Sequence, residues 1–202
     1  QWAVAGQTGS GKSALVNGIR NVRKGQPGCS QEGVSETTMK PMRFDFSVGR
    51  HAIIWDMPGG NTLAHPGKDY VKDKGLRWLH GVIVLIKDGR PTEFDIGLTV
   101  MLEHFGVPYY VVQNRFQQAC ESEDVDVDDR AAVVELSGKV KHAVHRVFTE
   151  GGASQCCYSR IFTINSQKWE FSDGPFLWVA IWADVMSARA ESPPAKRRRC
   201  AA

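Results

Sequence analysis

Along the chain, short runs of apolar and β-branched residues alternate with longer stretches whose apolar positions recur at helical spacing. The runs Trp2–Ala5, Arg43–Val48, His51–Trp55, Val82–Ile86, Tyr109–Gln113 and Arg160–Ile164 read as strands. Between them Lys12–Asn21, Asp69–Leu79, Glu93–Glu103 and Arg130–Phe148 read as helices, with Pro175–Ala190 as a last one. Val133, Val134, Val140, Val144 and Val147 give the fourth of these an expected buried face. Trp178 and Trp182, one turn apart beside Leu177, Ile181 and Val185, read as core packing. Alternation of this kind predicts an α/β fold: a mixed, mostly parallel sheet of six strands with helices on both faces. Arg43–Val48 and His51–Trp55 are separated only by Gly49 and Arg50, so they should form a hairpin carrying the one antiparallel edge strand.

The chain has 202 residues, 42% of them hydrophobic, enough for one good core. The expected division is a single domain over 1–190 and a disordered basic tail over 191–202, where ESPPAKRRRCAA lacks any core-forming pattern. The very short first strand suggests that the chain begins inside a longer parent. Lys196–Arg199 reads as a solvated terminus in preference to a nuclear-import signal. A net charge of +3 is too small to argue for nucleic acid, and none is expected as a partner. The longest purely apolar run, Val82 to Ile86, is far short of a membrane span. The five cysteines form no CxxC pair, which reads as reduced intracellular thiols and a cytoplasmic protein.

The stretch Gly6-Gln7-Thr8-Gly9-Ser10-Gly11-Lys12-Ser13 changes the picture, because it fits G-x-x-x-x-G-K-S between an expected strand and an expected helix. In that setting backbone N–H groups and the helix N-terminus converge on phosphates. Lys12 should neutralise the β- and γ-phosphates, and the Ser13 hydroxyl should hold Mg²⁺. Downstream, Ile53-Ile54-Trp55-Asp56-Met57-Pro58-Gly59 is an apolar strand ending in D-x-P-G. Asp56 is placed to reach Mg²⁺ through water, and the Gly59 N–H to sense the γ-phosphate, as in a GTPase-type switch. Between the two motifs Gly33–Met39 reads as a loop from which a threonine closes over Mg²⁺. Thr38, just before the hairpin, is the expected ligand, with Thr37 close behind.

Taken together, these three stretches resemble the immunity-related (interferon-inducible) GTPase family. Its G domain carries GxTGxGKS, a switch stretch like GVxExTM, and WDxPG, here Gly6–Ser13, Gly33–Met39 and Trp55–Gly59. Ile161–Ser166 followed by Trp169-Glu170-Phe171 resembles the family's F-L-I-S-N with a later Asp-Phe-Pro. The resemblance covers roughly residues 1–190 and implies binding of GTP and GDP with Mg²⁺. It also implies slow hydrolysis accelerated by pairing of G domains, as homo- or heterodimers, and peripheral action on intracellular membranes. It makes Lys12, Thr38 and Gly59 the catalytic set, and Asn114, Arg115, Gln117, Asn165 and Ser166 the base-binding set.

The base end departs from the pattern. GTPases of this kind read guanine with (N/T)KxD after the fifth strand, and here Asn114 is followed by Arg115 for Lys and Gln117 for Asp. Glutamine has one acceptor oxygen and a donating NH₂, so it cannot repeat the forked carboxylate contact to N1–H and N2–H₂. The loss would cost on the order of 1.5–3 kcal/mol. Either base selectivity is relaxed, or a carboxylate from Glu121–Asp129 substitutes. That acidic run lacks the sixth-position glycine and terminal glutamate of a calcium loop, and reads as a solvated loop in which Asp128 or Asp129 caps the next helix.

Gly60-Asn61-Thr62 follows D-x-P-G where a water-positioning glutamine would stand, so intrinsic hydrolysis should be slow. Arg20, Arg23, Lys24 or a partner's residue could supply charge stabilisation, though each of the three reads first as a surface charge. His51, His65 and His104 show no pattern of a general base or metal site. Three readings follow: a Mg²⁺-dependent GTPase, a non-catalytic or relaxed-specificity nucleotide-binding scaffold, and an ATP-directed P-loop enzyme such as a small kinase. The hairpin and the single D-x-P-G argue against the third.

Overall fold

A computed structural model describes residues 1–31, 40–46, 52–60, 69–166, 168 and 173–191. Six strands, β1 (Trp2–Gly6), β2 (Met42–Phe46), β3 (Ala52–Asp56), β4 (Gly81–Ile86), β5 (Tyr109–Gln113) and β6 (Ile161–Thr163), form one sheet in the order β2-β3-β1-β4-β5-β6. The β2–β3 pair is antiparallel and every other pair is parallel. Among the described residues six α-helices accompany it: α1 (Lys12–Ile19), α2 (Tyr70–Asp73), α3 (Glu93–His104), α4 (Phe116–Ser122), α5 (Arg130–Glu150) and α6 (Gly174–Glu191). This is the expected α/β architecture, with the antiparallel strand at one edge.

Side-chain alternation along the strands sorts the core into two layers. Ala3 and Ala5 of β1 face Tyr70, Val71, Leu98, Leu102, Val144 and Phe148, from α2, α3 and α5. Trp2 and Val4 face Leu15, Val16 and Ile19 of α1 and Leu177 and Ile181 of α6. Strand β4, Gly-Val-Ile-Val-Leu-Ile, is buried throughout, as a central parallel strand covered on both faces must be. Tyr110 ties β5 to α6 by donating to Asp184 Oδ2 at 2.7 Å, and Trp2 stacks on its ring at 5.5 Å. Among the described residues no helix is long and apolar enough to cross a membrane.

Some expectations are corrected. The helix expected over Asp69–Leu79 is broken: α2 ends at Asp73, Gly75 turns left-handed at φ 66°, and Leu76–Trp78 forms a 3-10 turn. A helix was not expected at Phe116–Ser122. Along α5 the buried face is Val133, Leu136, Ser137, Val144 and Phe148, while Val134 is 70% exposed, since a neighbour in sequence sits a quarter-turn round the helix. Strand β6 is shorter than expected, running only from Ile161 to Thr163, while β1 gains Gly6 and β4 gains Gly81. Around α6, Leu177 and Ile181 are buried and Trp182 packs against their layer. The turn at Gly49-Arg50, His51, His65, Asn61-Thr62, Trp169–Phe171 and the tail after Glu191 lie outside the described residues, as do the Trp178 and Val185 side chains.

Candidate functional site

Gly6 to Ser13 links β1 to α1, and the loop is shaped by contacts that only glycine permits. A Cβ on Gly6 would stand 2.3 Å from the Leu85 carbonyl oxygen, and Gly9 and Gly11 take φ values of 80° and 93°. Lys12 is buried, and its Nζ donates to the Gln7 carbonyl at 2.7 Å, folding the loop round the ammonium. Ser10 Oγ closes onto the same carbonyl at 2.9 Å. The Gln7 side chain donates to Thr92 Oγ1 at the start of α3. There Thr92 and Asp95 form a reciprocal capping box, with Asp95 almost fully buried. Burial pushes the Asp95 carboxyl above its ordinary range, opposed by its bonds to Thr92 and by the charge of Lys12.

The segment after β3 lies directly on this loop. The Met57 N–H donates to Val4 O at 3.2 Å and the Gly60 N–H to Gly6 O at 3.1 Å, so the pairing with β1 continues past Asp56. A Cβ on Gly59 would stand 2.1 Å from Thr8 Oγ1, and one on Gly60 2.0 Å from Phe94 Cζ. Tyr70, fully buried, donates from its hydroxyl to the Pro58 carbonyl at 2.6 Å and packs edge-on against Phe94. Burial and the nearby Asp56 carboxylate push the Tyr70 hydroxyl pKa far up, so it stays a donor.

Asp56, with no exposed surface, presents Oδ2 to two hydroxyl donors: Ser13 Oγ at 2.7 Å and Ser30 Oγ. A serine hydroxyl on the phosphate loop beside a carboxylate is an oxygen-only donor set, which suits a hard divalent cation such as Mg²⁺. Ser13 and Asp56 are therefore the residues that would hold it. Thr38 lies outside the described residues.

At the other end of the site, Asn114 follows β5 and binds in three directions. Its Oδ1 accepts from the Arg115 N–H at 2.8 Å and the Ser166 N–H at 3.0 Å, and its Nδ2 donates to Ser166 Oγ at 3.1 Å. A Cβ on Gly11 would reach 2.9 Å from Asn114 Nδ2, so this side chain also buttresses the phosphate loop. Arg115 is exposed and left-handed at φ 59°, opening α4. Gln117, on the first turn of α4, accepts from Asn165 Nδ2 at 3.2 Å and donates to Glu121 Oε1 at 3.0 Å. Gln117 and Glu121 line an open cavity of about 460 Å³ with Asp124, Val125, Asp126 and Val127. Within the acidic run, Asp129 caps α5 by accepting from Ala131 and Ala132 N–H groups. No group of three or more His, Cys, Asp or Glu side chains placed to hold a metal ion occurs among the described residues, the run included.

The expected nucleotide-site residues within the described region thus gather at the C-terminal ends of the parallel strands: Gly6–Ser13, Asp56 and Gly59 at or after the ends of β1 and β3, and Asn114, Arg115, Gln117, Asn165 and Ser166 after β5 and β6. Arg20 is not among them. It lies over the Phe44 ring at 4.4 Å and donates to Gly28 O at 2.8 Å, so it is committed to packing. Sequence reasoning missed Ser30, Tyr70, Phe94 and Asp95. Only the Thr92-x-x-Asp95 spacing carried a signal, as a capping box.

A phosphate loop after the first strand, facing a carboxylate at the end of the neighbouring strand, is the architecture of the P-loop GTPases, and solved structures share it. Era from Aquifex aeolicus, bound to GDP.AlF4−, superposes with a TM-score of 0.59 at 16% identity, covering 90% of this chain and 55% of that one. A probable GTP-binding protein EngB gives 0.53 at 16% identity, covering 95% and 99%. The chain belongs to the interferon-inducible GTPase family (IIGP), whose sequence profile matches residues 1–195. Interferon-inducible GTPase 5 of Rattus norvegicus is 36% identical over 115 residues, 57% of this chain and 25% of that protein. T-cell-specific guanine nucleotide triphosphate-binding protein 2 of Mus musculus is 28% identical over 121 residues, 60% of this chain. The chain aligns with 29% of that relative's length.

Proposed function

We propose that the chain is a Mg²⁺-dependent GTPase domain that hydrolyses GTP to GDP slowly and is accelerated when two such domains associate. The observation that carries this reading is the 2.7 Å bond from Ser13 Oγ to Asp56 Oδ2, beside a buried Lys12. The loop N–H groups and Lys12 bind and orient the phosphates, and Ser13 and Asp56 would hold the cation, which would supply positive charge beside them. Gly59 approaches the loop so closely that a Cβ there would meet Thr8 Oγ1, which leaves its backbone beside the phosphates. Gly60 offers no side chain to orient the attacking water, in keeping with weak intrinsic turnover. By the family resemblance, the protein works in the cytoplasm, peripherally on intracellular membranes, through homo- or heterodimers of G domains.

A second reading, a relaxed-specificity or non-catalytic nucleotide-binding scaffold, is favoured by one observation. The residue at the base-reading position is an amide, Gln117, engaged on one side by Asn165 and on the other by Glu121. One comparison separates the two: binding of GTP, GDP, ATP and XTP with and without Mg²⁺, then phosphate release against protein concentration. GTP-selective binding with specific activity rising with concentration supports the GTPase. Tight binding with no release at any concentration supports the scaffold.

A further inference from the structure

The second hydroxyl on Asp56 comes from a residue that neither motif contains. Ser30 has no exposed surface, and its Oγ donates to Asp56 Oδ2, the oxygen that also accepts from Ser13. Its backbone is held at both polar groups by one side chain, for Asn17 Nδ2 donates to Ser30 O at 2.9 Å and Asn17 Oδ1 accepts from Ser30 N at 2.7 Å. Asn17 is itself buried and stands one helical turn after Ser13 on α1, so the two residues lie on the same side of the helix, one bonded to Ser30 and the other to Asp56. The chain returns to this point through left-handed Gly25 and Gly28 (φ 85° and 79°), with Arg20 holding the Gly28 carbonyl.

Both bonds of the Asn17 clamp use the main chain of Ser30, so an alanine there would satisfy the clamp equally well. The hydroxyl adds only one thing, a proton donor for the Asp56 carboxylate. We infer that Ser30 is a positioning residue of the cation site: its hydroxyl holds Oδ2 in place, and so sets the affinity for Mg²⁺. Ser13 must share itself between Asp56 and the cation, whereas Ser30 approaches the carboxylate from outside the phosphate loop. Because Ser30 is pinned to α1 through Asn17, the carboxylate on β3 is fixed to the helix that carries Lys12 and Ser13. This inference rests on the Mg²⁺-dependent reading above.

The test uses the full chain and dissociation of a fluorescent GDP analogue across a Mg²⁺ titration, with a parallel measurement in EDTA. Ser30→Ala should raise the Mg²⁺ concentration at half-effect by roughly ten- to a hundredfold, the range for loss of an outer-shell partner. GDP affinity in EDTA should stay within about twofold of wild type, and Ser30→Thr, which keeps the hydroxyl, should recover most of the shift. A folded Ser30→Ala protein with an unmoved Mg²⁺ midpoint overturns the role of Ser30 while leaving the metal-dependent reading intact. Equal losses with and without Mg²⁺ also overturn it, by marking the serine as packing alone. A wild-type protein whose GDP release ignores Mg²⁺ brings down both. Should the alanine variant fail to fold, Ser30→Cys, a weaker donor of similar size, must show a shift of the same sign, and an unmoved midpoint there overturns the role.

Discussion

The tip of the Phe94 ring stands against Gly60, so close that a Cβ on residue 60 would lie 2.0 Å from Phe94 Cζ. The position just past Asp-x-Pro-Gly therefore has no room for a side chain while α3 keeps its place. A glutamine at this position would have to displace that ring. Replacing Gly60 by Gln should destabilise the protein by about 1–3 kcal/mol through overpacking. Phe94→Ala in the same chain should make the substitution less costly than it is alone. Urea unfolding of the two single variants and the double checks both, and strict additivity would show that the two residues do not compete for space.

Lys12 is buried at the hinge of the phosphate loop, with Gln7 O as its backbone partner. Lys12→Ala removes a charge-assisted contact to phosphate, about 1.5–3 kcal/mol, so GTP and GDP should bind roughly ten- to a hundredfold more weakly. Equilibrium titration with a fluorescent nucleotide measures this, and unchanged affinity would displace the nucleotide from the loop.

At the base end the acceptor chemistry of Gln117 predicts poor discrimination between guanine and xanthine nucleotides. Gln117→Asp supplies the forked acceptor and should raise the GTP-over-XTP preference by roughly tenfold or more. Competition binding decides it. If the wild type already prefers GTP strongly, and the substitution adds nothing, Glu121 becomes the next residue to change.

Asp95 gives the fold a pH dependence with a definite sign. Burial raises its folded-state pKa above the ordinary value of about 4, with Thr92 and Lys12 pulling it back. A raised pKa means that its contribution is fullest below the ordinary value and is lost as pH rises through the folded one. Asp95→Asn lacks that loss. The stability of the variant relative to wild type should therefore climb as pH rises from acid towards neutrality, a trend that urea unfolding at several pH values will reveal. A falling difference would mean that the Thr92 hydrogen bonds and the attraction to Lys12 together outweigh burial.

Much of this architecture can be read along the chain. The unbroken apolar run of β4 and the phosphate-loop and D-x-P-G motifs each constrain backbone and side chains over a few consecutive residues, which periodicity and spacing detect. What escaped detection depends on contacts across the fold. Helix α4 is seven residues long and opens on Arg115 in a left-handed conformation, which helix propensity does not foretell. The break at Gly75 needed knowledge of where the chain must turn. Ser30 and Asn17 sit thirteen residues apart with no shared motif, and Tyr70 meets Pro58 only because β3 and α2 fold together.

Asn114 links Ser166 by two hydrogen bonds and stands against Gly11. The loop after β1 and the loops after β5 and β6 thus form one caliper with a single amide as its pivot. A substitution at that amide would loosen both jaws at once, so its effect on binding would be felt for every nucleotide alike, whatever the base.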